Sequence, residues 1–153
     1  MIVSFDTNIL IYAGGPAADP RRSLARAVID RAADADDGAG SGVLLLQTLA
    51  EFSNVAIRKL RMPAEATAQA VAVWRAVFPV RAAAEEDLPA ALAAVAAHRL
   101  QFWDAMLWAT AKRTGVDIFF SEDFQDGRTL DGVRFVNPFS PENESLIARI
   151  FGS

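Results

Sequence analysis

Met1-Ile2-Val3-Ser4-Phe5-Asp6-Thr7-Asn8 is the stretch that decides the fold. Its first five residues are apolar except Ser4, the composition of a strand covered on both faces. A carboxylate follows at once. Acidic side chains ordinarily occupy solvated surface, so a carboxylate at the end of a buried element needs a physical reason. The pattern recurs along the chain. Glu51 comes shortly after Val43-Leu44-Leu45-Leu46, and Asp123 after Ile118-Phe119-Phe120. Asp104 opens the apolar stretch Asp104-Ala105-Met106-Leu107-Trp108-Ala109. Two carboxylates about 4 Å apart repel by roughly 4 kcal/mol at an effective dielectric of ~20. Four brought together would either take up protons or bind a divalent cation.

Outward from this strand, a loop containing Gly14-Gly15-Pro16 leads to Asp19, which can cap a helix with Pro20 at its first position. That helix is predicted to run to about Ala33, and a polar, glycine-rich connection covers Asp34 to Gly42. Val43-Leu44-Leu45-Leu46 reads as a second short buried strand. Thr48 precedes a helix reaching about Arg61, and Met62-Pro63 separates it from another over about Ala64 to Phe78. There Val71, Trp74, Val77 and Phe78 share one packed stripe. An alanine-rich helix follows over about Glu85 to His98. The next, from about Trp103 to Thr114, is apolar almost all round and should be central, with Gly115 at its end. Ile118-Phe119-Phe120 and Val133-Arg134-Phe135-Val136 are two more strands, and Ser140-Pro141 begins a short terminal helix.

This alternation predicts an α/β fold, a mostly parallel sheet flanked by helices, in a single domain over 1–153. Ligand sites in such sheets lie beyond the carboxyl ends of the strands. Asp6, Glu51 and Asp123 would meet there, with Asp104 reaching the same edge from a helix N-terminus.

Composition narrows the chemistry. With 52% apolar residues the chain is globular rather than disordered, and its apolar stretches are broken too early to span a bilayer. No basic region precedes an apolar signal segment, so cytoplasmic residence is expected. Cysteine is absent, which removes thiolate nucleophiles, thiolate metal sites and disulfides together. His98 is the only histidine, so a zinc site built from several imidazoles is excluded; it reads as a surface helix residue. The net charge of −4 argues mildly against non-specific nucleic-acid binding. Arg22 and Arg26, four residues apart, share a helical face that either binds phosphate or is simply solvated. Arg58-Lys59-Leu60-Arg61 suits the negative end of a helix dipole. Gly38-Ala39-Gly40-Ser41-Gly42 precedes a strand and reads as a flexible connection, not a phosphate loop. Trp74, Trp103 and Trp108 fall at core-like positions and require no stacking role.

Each carboxylate also has a purely structural explanation. Thr48-Leu49-Ala50-Glu51 matches a capping box. Asp104 would complement a helix dipole, Asp6-Thr7-Asn8 would form a turn, and Asp123 shares a polar loop with Glu122 and Asp126, either of which could replace it. The coincidence of all four carries the weight.

Met1 to Ala13 resembles the opening of PIN-domain proteins, and closely that of the VapC toxins of type II toxin–antitoxin pairs. Phe102-Trp103-Asp104-Ala105 resembles the third acidic motif, and Ser121-Glu122-Asp123-Phe124-Gln125-Asp126-Gly127 the last, with Glu51 at the second acidic position. The resemblance implies a Rossmann-like PIN domain and an endoribonuclease that uses Mg²⁺ or Mn²⁺ to cleave cellular RNA such as tRNA or rRNA. It implies a VapB-like antitoxin, a homodimer, no membrane, and DNA contact only indirectly through the antitoxin. All-oxygen ligation suits a hard cation. In that scheme Asp6, Asp104 and Asp123 hold the metal, which activates the attacking water, while Glu51 holds a second metal or orients that water. Thr7, Asn8 and Ser121 support the carboxylates. The alternatives are an RNA-processing PIN nuclease without an antitoxin, and a non-catalytic protein whose acidic edge binds metal or a partner.

Overall fold

The computed structural model describes residues 1–15, 18–35 and 40–152. The first half contains β1 (Ile2–Phe5), α1 (Thr7–Gly14), α2 (Arg21–Asp34), β2 (Ser41–Gly42), β3 (Leu44–Leu45), α3 (Leu46–Arg58) and α4 (Ala64–Val77). Then come β4 (Val80–Arg81), α5 (Asp87–His98), α6 (Phe102–Arg113), β5 (Ile118–Phe120), β6 (Thr129–Leu130) and β7 (Val133–Val136). A 3₁₀ turn at Pro141–Asn143 leads into α7 (Glu144–Ile150). Pro16 and positions 36–39 of the glycine-rich connection lie outside the described residues.

Five strands form the main sheet in the order β2-β1-β5-β7-β6, all parallel except β6, which runs antiparallel to β7. Successive side chains of a strand point to opposite faces. Val3, Phe5, Ile118, Phe120 and Val136 therefore pack on one side, with Ile9, Leu10, Val28, Ile29 and Phe52. Phe119, Val133 and Phe135 pack on the other, with Ala105, Leu107 and Trp108. Both faces are covered, which is why the strands are apolar at nearly every position. Burial of each of these Phe side chains contributes about 1.5–3 kcal/mol. The α/β expectation holds, with helices on both faces of a mostly parallel sheet.

Val77, expected in the packed stripe of α4, is 50% exposed, and β4 and β6 lie outside the expected strands. Three further departures from the sequence reading bear on the fold around the site. Where a turn at Asp6-Thr7-Asn8 is one structural reading, the chain forms α1. Asp6 leaves β1 with extended backbone and its Oδ1 accepts from the Thr7 amide at 2.8 Å, starting the helix. The unbroken run Ile9-Leu10-Ile11 hides the helical period, although only Ile9, Leu10 and Ala13 of that region are fully buried. The single strand expected at Val43–Leu46 is two short ones. β2 pairs with β1, the chain then leaves the main sheet, and β3 pairs in parallel with β4. Gly42 lets the Phe78 ring close onto β2, because a Cβ there would lie 2.5 Å from that ring. Trp103, expected in the core, is 57% exposed, whereas Trp108 is buried and Trp74 half-buried. Trp103 stands in the first turn of α6 on its solvent side, while Ala105 in the same turn is fully buried.

One polar lock joins α5 to α6. Asp87, 1% exposed, accepts two bonds from Arg113 (2.8 and 3.0 Å), one from the Ala84 amide (2.8 Å) and one from the Thr110 hydroxyl (3.1 Å). Burial alone would push the Asp87 carboxyl up. The guanidinium, the amide and the hydroxyl together hold it below the usual carboxylate range.

Candidate active site

Sheet register builds the centre of the site. Phe5 pairs with Phe120, and Phe120 with Val136, so the three strands end level. The next residues therefore meet: the Asp6 amide donates to Phe120 O (2.8 Å) and the Ser121 amide to Val136 O (3.0 Å). Ser121 Oγ donates to Asp6 Oδ2 at 2.7 Å and accepts from the amides of Asp123 (3.1 Å) and Phe124 (3.3 Å). Phe124 stacks on Phe135 with ring centres 4.1 Å apart, which anchors the loop carrying Asp123.

Helix α1 supplies the supporting side chains. Thr7 Oγ1 donates to Glu51 Oε2 at 2.6 Å, and Asn8 Nδ2 donates to Asp123 Oδ2 at 2.7 Å. Glu51 takes a second bond at Oε1 from Gln47 Nε2 (2.8 Å), and the same amide group donates to the Trp103 carbonyl (3.2 Å). Gln47 thus ties the start of α3 to the start of α6. The capping box is not formed. Helix α3 begins at Leu46, so Thr48 is already inside the helix and its hydroxyl donates to Leu45 O (2.8 Å). Glu51 is freed to face Thr7.

Electrostatics report the convergence. Asp6 is 5% exposed and its carboxyl is pushed up to about 6, first by burial and then by the charges of Asp123 and Asp104, against the lowering bonds from Ser121 and Thr7. Burial, Asp123 and Glu51 raise the carboxyl of half-buried Asp104. Burial and Glu122 raise that of Asp123. Asp6 and Asp104 each feel Asp123, and Asp104 also feels Glu51, so all four belong to one electrostatic group. Among the described residues none of the four forms an ion pair. Nor, among the described residues, do any three acidic or imidazole side chains stand close enough together to hold one metal ion.

The neighbouring acids separate by their partners. Glu122 accepts from the Tyr12 hydroxyl and lies 3.6 Å from Arg21 Nη1, while Arg21 also stacks over the Tyr12 ring at 4.0 Å. Burial and Glu122 push the Tyr12 phenol up to about 12. Asp126 accepts from the Asn137 amide and from Asn143 Nδ2, both at 2.9 Å, closing the loop onto the C-terminal segment. Asp123 is the loop acid that faces the cluster. Arg22 and Arg26 do not contact the four carboxylates: Arg26 Nε donates to Ala13 O (2.9 Å), and Arg22 Nε is buried without a partner among the described residues. Sequence reasoning missed Tyr12, Arg21 and Gln47. The signal for Tyr12 was its spacing of four from Asn8, which places both on one face of α1.

Parallel strands ending in a buried acidic group at the sheet's carboxyl edge define a class of α/β protein. The sequence matches the profile of the PIN domain over residues 3–126. The chain belongs to the PIN-domain family. No protein of curated function matches it. Solved structures with the same fold include a toxin–antitoxin complex from Klebsiella pneumoniae, 20% identical with TM-score 0.63, covering 90% of this chain and 98% of that one. VapC20 of Mycobacterium tuberculosis, described as a sarcin-ricin loop cleaving toxin, is 18% identical with TM-score 0.64, covering 84% and 97%. VapBC-1 of nontypeable Haemophilus influenzae is 14% identical with TM-score 0.66, covering 92% and 100%.

Proposed function

We propose that this chain is a VapC-like toxin, an endoribonuclease that cleaves a cellular RNA of the tRNA or rRNA class with a divalent cation, Mg²⁺ or Mn²⁺. The observation that carries the reading is Asp6, a carboxylate 5% exposed, without a cationic partner among the described residues and set against other acids. A fold keeps such a destabilising group where a ligand uses it. The donor set fits a hard cation, being all carboxylate oxygen. Asp6, Asp104 and Asp123, which are not grouped tightly enough to hold one ion as they stand, would have to draw together to hold it; when bound, the ion would supply Lewis-acid stabilisation of charge on a phosphate. Ser121 orients Asp6, Asn8 orients Asp123, and Thr7 with Gln47 orients Glu51. Glu51, with its oxygens held in place, is suited to accept a proton from water beside the phosphate.

The toxin reading is supported by neighbours that are toxins of VapBC systems. It predicts a VapB-like antitoxin as partner and a homodimer as the working form. No helix among the described residues is long and apolar enough to cross a membrane. Incubation of purified protein with total RNA, in Mn²⁺ and in EDTA, followed by 5′-end sequencing, tests activity and substrate together. Cleavage that persists in EDTA, or in Asp104→Ala, would overturn the proposal.

A further inference from the structure

Trp103 is the only exposed aromatic side chain among the described residues, and it immediately precedes Asp104. Its ring packs edge-to-face on Phe102, centres 5.0 Å apart at 76°, which limits its freedom. Its carbonyl is held by Gln47, the residue that also holds Glu51. Leu46, one residue before Gln47, is 51% exposed. An apolar lip, indole and leucine, therefore borders the acidic cluster and is fixed to it through shared hydrogen bonds. We propose that Trp103 is a stacking platform for an unpaired nucleobase of the RNA, next to the phosphate that faces the carboxylates.

Three considerations select a nucleobase. The local surface is anionic, with Asp6, Glu51, Asp104 and Asp123 in one electrostatic group, and the chain carries a net charge of −4. Phosphate attraction is therefore weak here, and holding a polyanion requires affinity from the bases. An indole face supplies it without regard to sequence, because every base has a π-face. A base inside an A-form helix is already stacked, so only a loop, bulge or single strand can use the platform. The site would thus prefer unpaired RNA. This inference rests on the ribonuclease reading for its substrate.

The test uses the full chain. A fluorescein-labelled unpaired RNA oligonucleotide is titrated in EDTA and followed by anisotropy, and its cleavage in Mn²⁺ is measured in parallel. Trp103→Ala should weaken binding about tenfold or more. It should raise KM by a similar factor with kcat within about twofold of wild type. Trp103→Phe should restore most of the affinity, and binding to a fully paired RNA should not respond to either change. An exposed ring contributes little to folding, so both variants should melt with the wild type. Unchanged affinity and KM in Trp103→Ala overturn the platform while leaving the ribonuclease reading intact. Unchanged RNA affinity with an altered oligomeric state on size exclusion also overturns it, and assigns the ring to a protein interface. If the wild type binds RNA through Trp103 but cuts none, the ribonuclease reading fails and the platform stands. RNA neither bound nor cut overturns both.

Discussion

Asp6 and Asp87 are buried almost equally, at 5% and 1% exposed, yet their carboxyls move in opposite directions. Asp87 has a guanidinium against both oxygens, and with the Ala84 amide and the Thr110 hydroxyl it stays ionised at little net cost. Asp6 has one amide, one hydroxyl and two neighbouring anions, so ionisation costs stability until something positive arrives. Burial alone does not decide which way a buried carboxyl shifts. The difference is whether the protein supplies the countercharge.

The largest expected effect lies in activity. Asp6→Ala or Asp104→Ala should lower RNA cleavage by more than about 10²-fold and relieve growth inhibition on induction, with the fold retained by circular dichroism. Asp87→Ala should do the reverse, costing about 3 kcal/mol in urea unfolding while leaving cleavage per folded molecule unchanged. Equal loss of activity in both variants would break the comparison.

Acid sharpens it further. The folded pKa of Asp6, about 6, exceeds its unfolded value of 3.8, so the folded state binds more protons across that interval. Stability attributable to Asp6 therefore rises as pH falls, making the metal-free protein about 1–2 kcal/mol more stable at pH 5 than at pH 7. Asp87, lowered, contributes stability that is present above its unfolded pKa and lost only as pH falls through its folded one. Denaturant titrations across pH on wild type and Asp6→Asn isolate the first effect, which the variant should abolish. The smallest effect concerns Glu122, the acid beside Asp123 that does have partners. Tyr12→Phe removes one of its hydrogen bonds and should cost about 1 kcal/mol in thermal unfolding, with cleavage nearly unchanged.

Elements whose cause is local were legible. β1, β5 and β7 are apolar runs, α4 and α5 have clear starts, and Gly115 closes α6 with φ 82°. Asp6 was legible for the same reason, since a charged residue directly after an apolar strand is visible in one dimension. Glu51 was ambiguous because Thr48 offered it a cap. The helix start moved to Leu46 once β3 found β4, whose partner residues lie 36 positions further on. Arg22 and Arg26 share a helix face as their spacing implies, but Arg21 is the basic residue that reaches the loop beside Asp123. Nothing local separates those three arginines.

By itself, then, the sequence determined the alternation of strands and helices and the acids placed at their ends, because both follow from neighbours within a few residues. Tertiary structure decided the rest. Level strand ends put Ser121 on Asp6, α1 brought Asn8 and Tyr12 to the loop after β5, and the packing of α6 left Trp103 on its solvent side. It also decided which buried aspartate received a countercharge, because Asp87 and Arg113 are 26 residues apart and meet only when α5 packs on α6. Burial, pairing and exposure are sums over distant atoms, and no short window of sequence contains those sums.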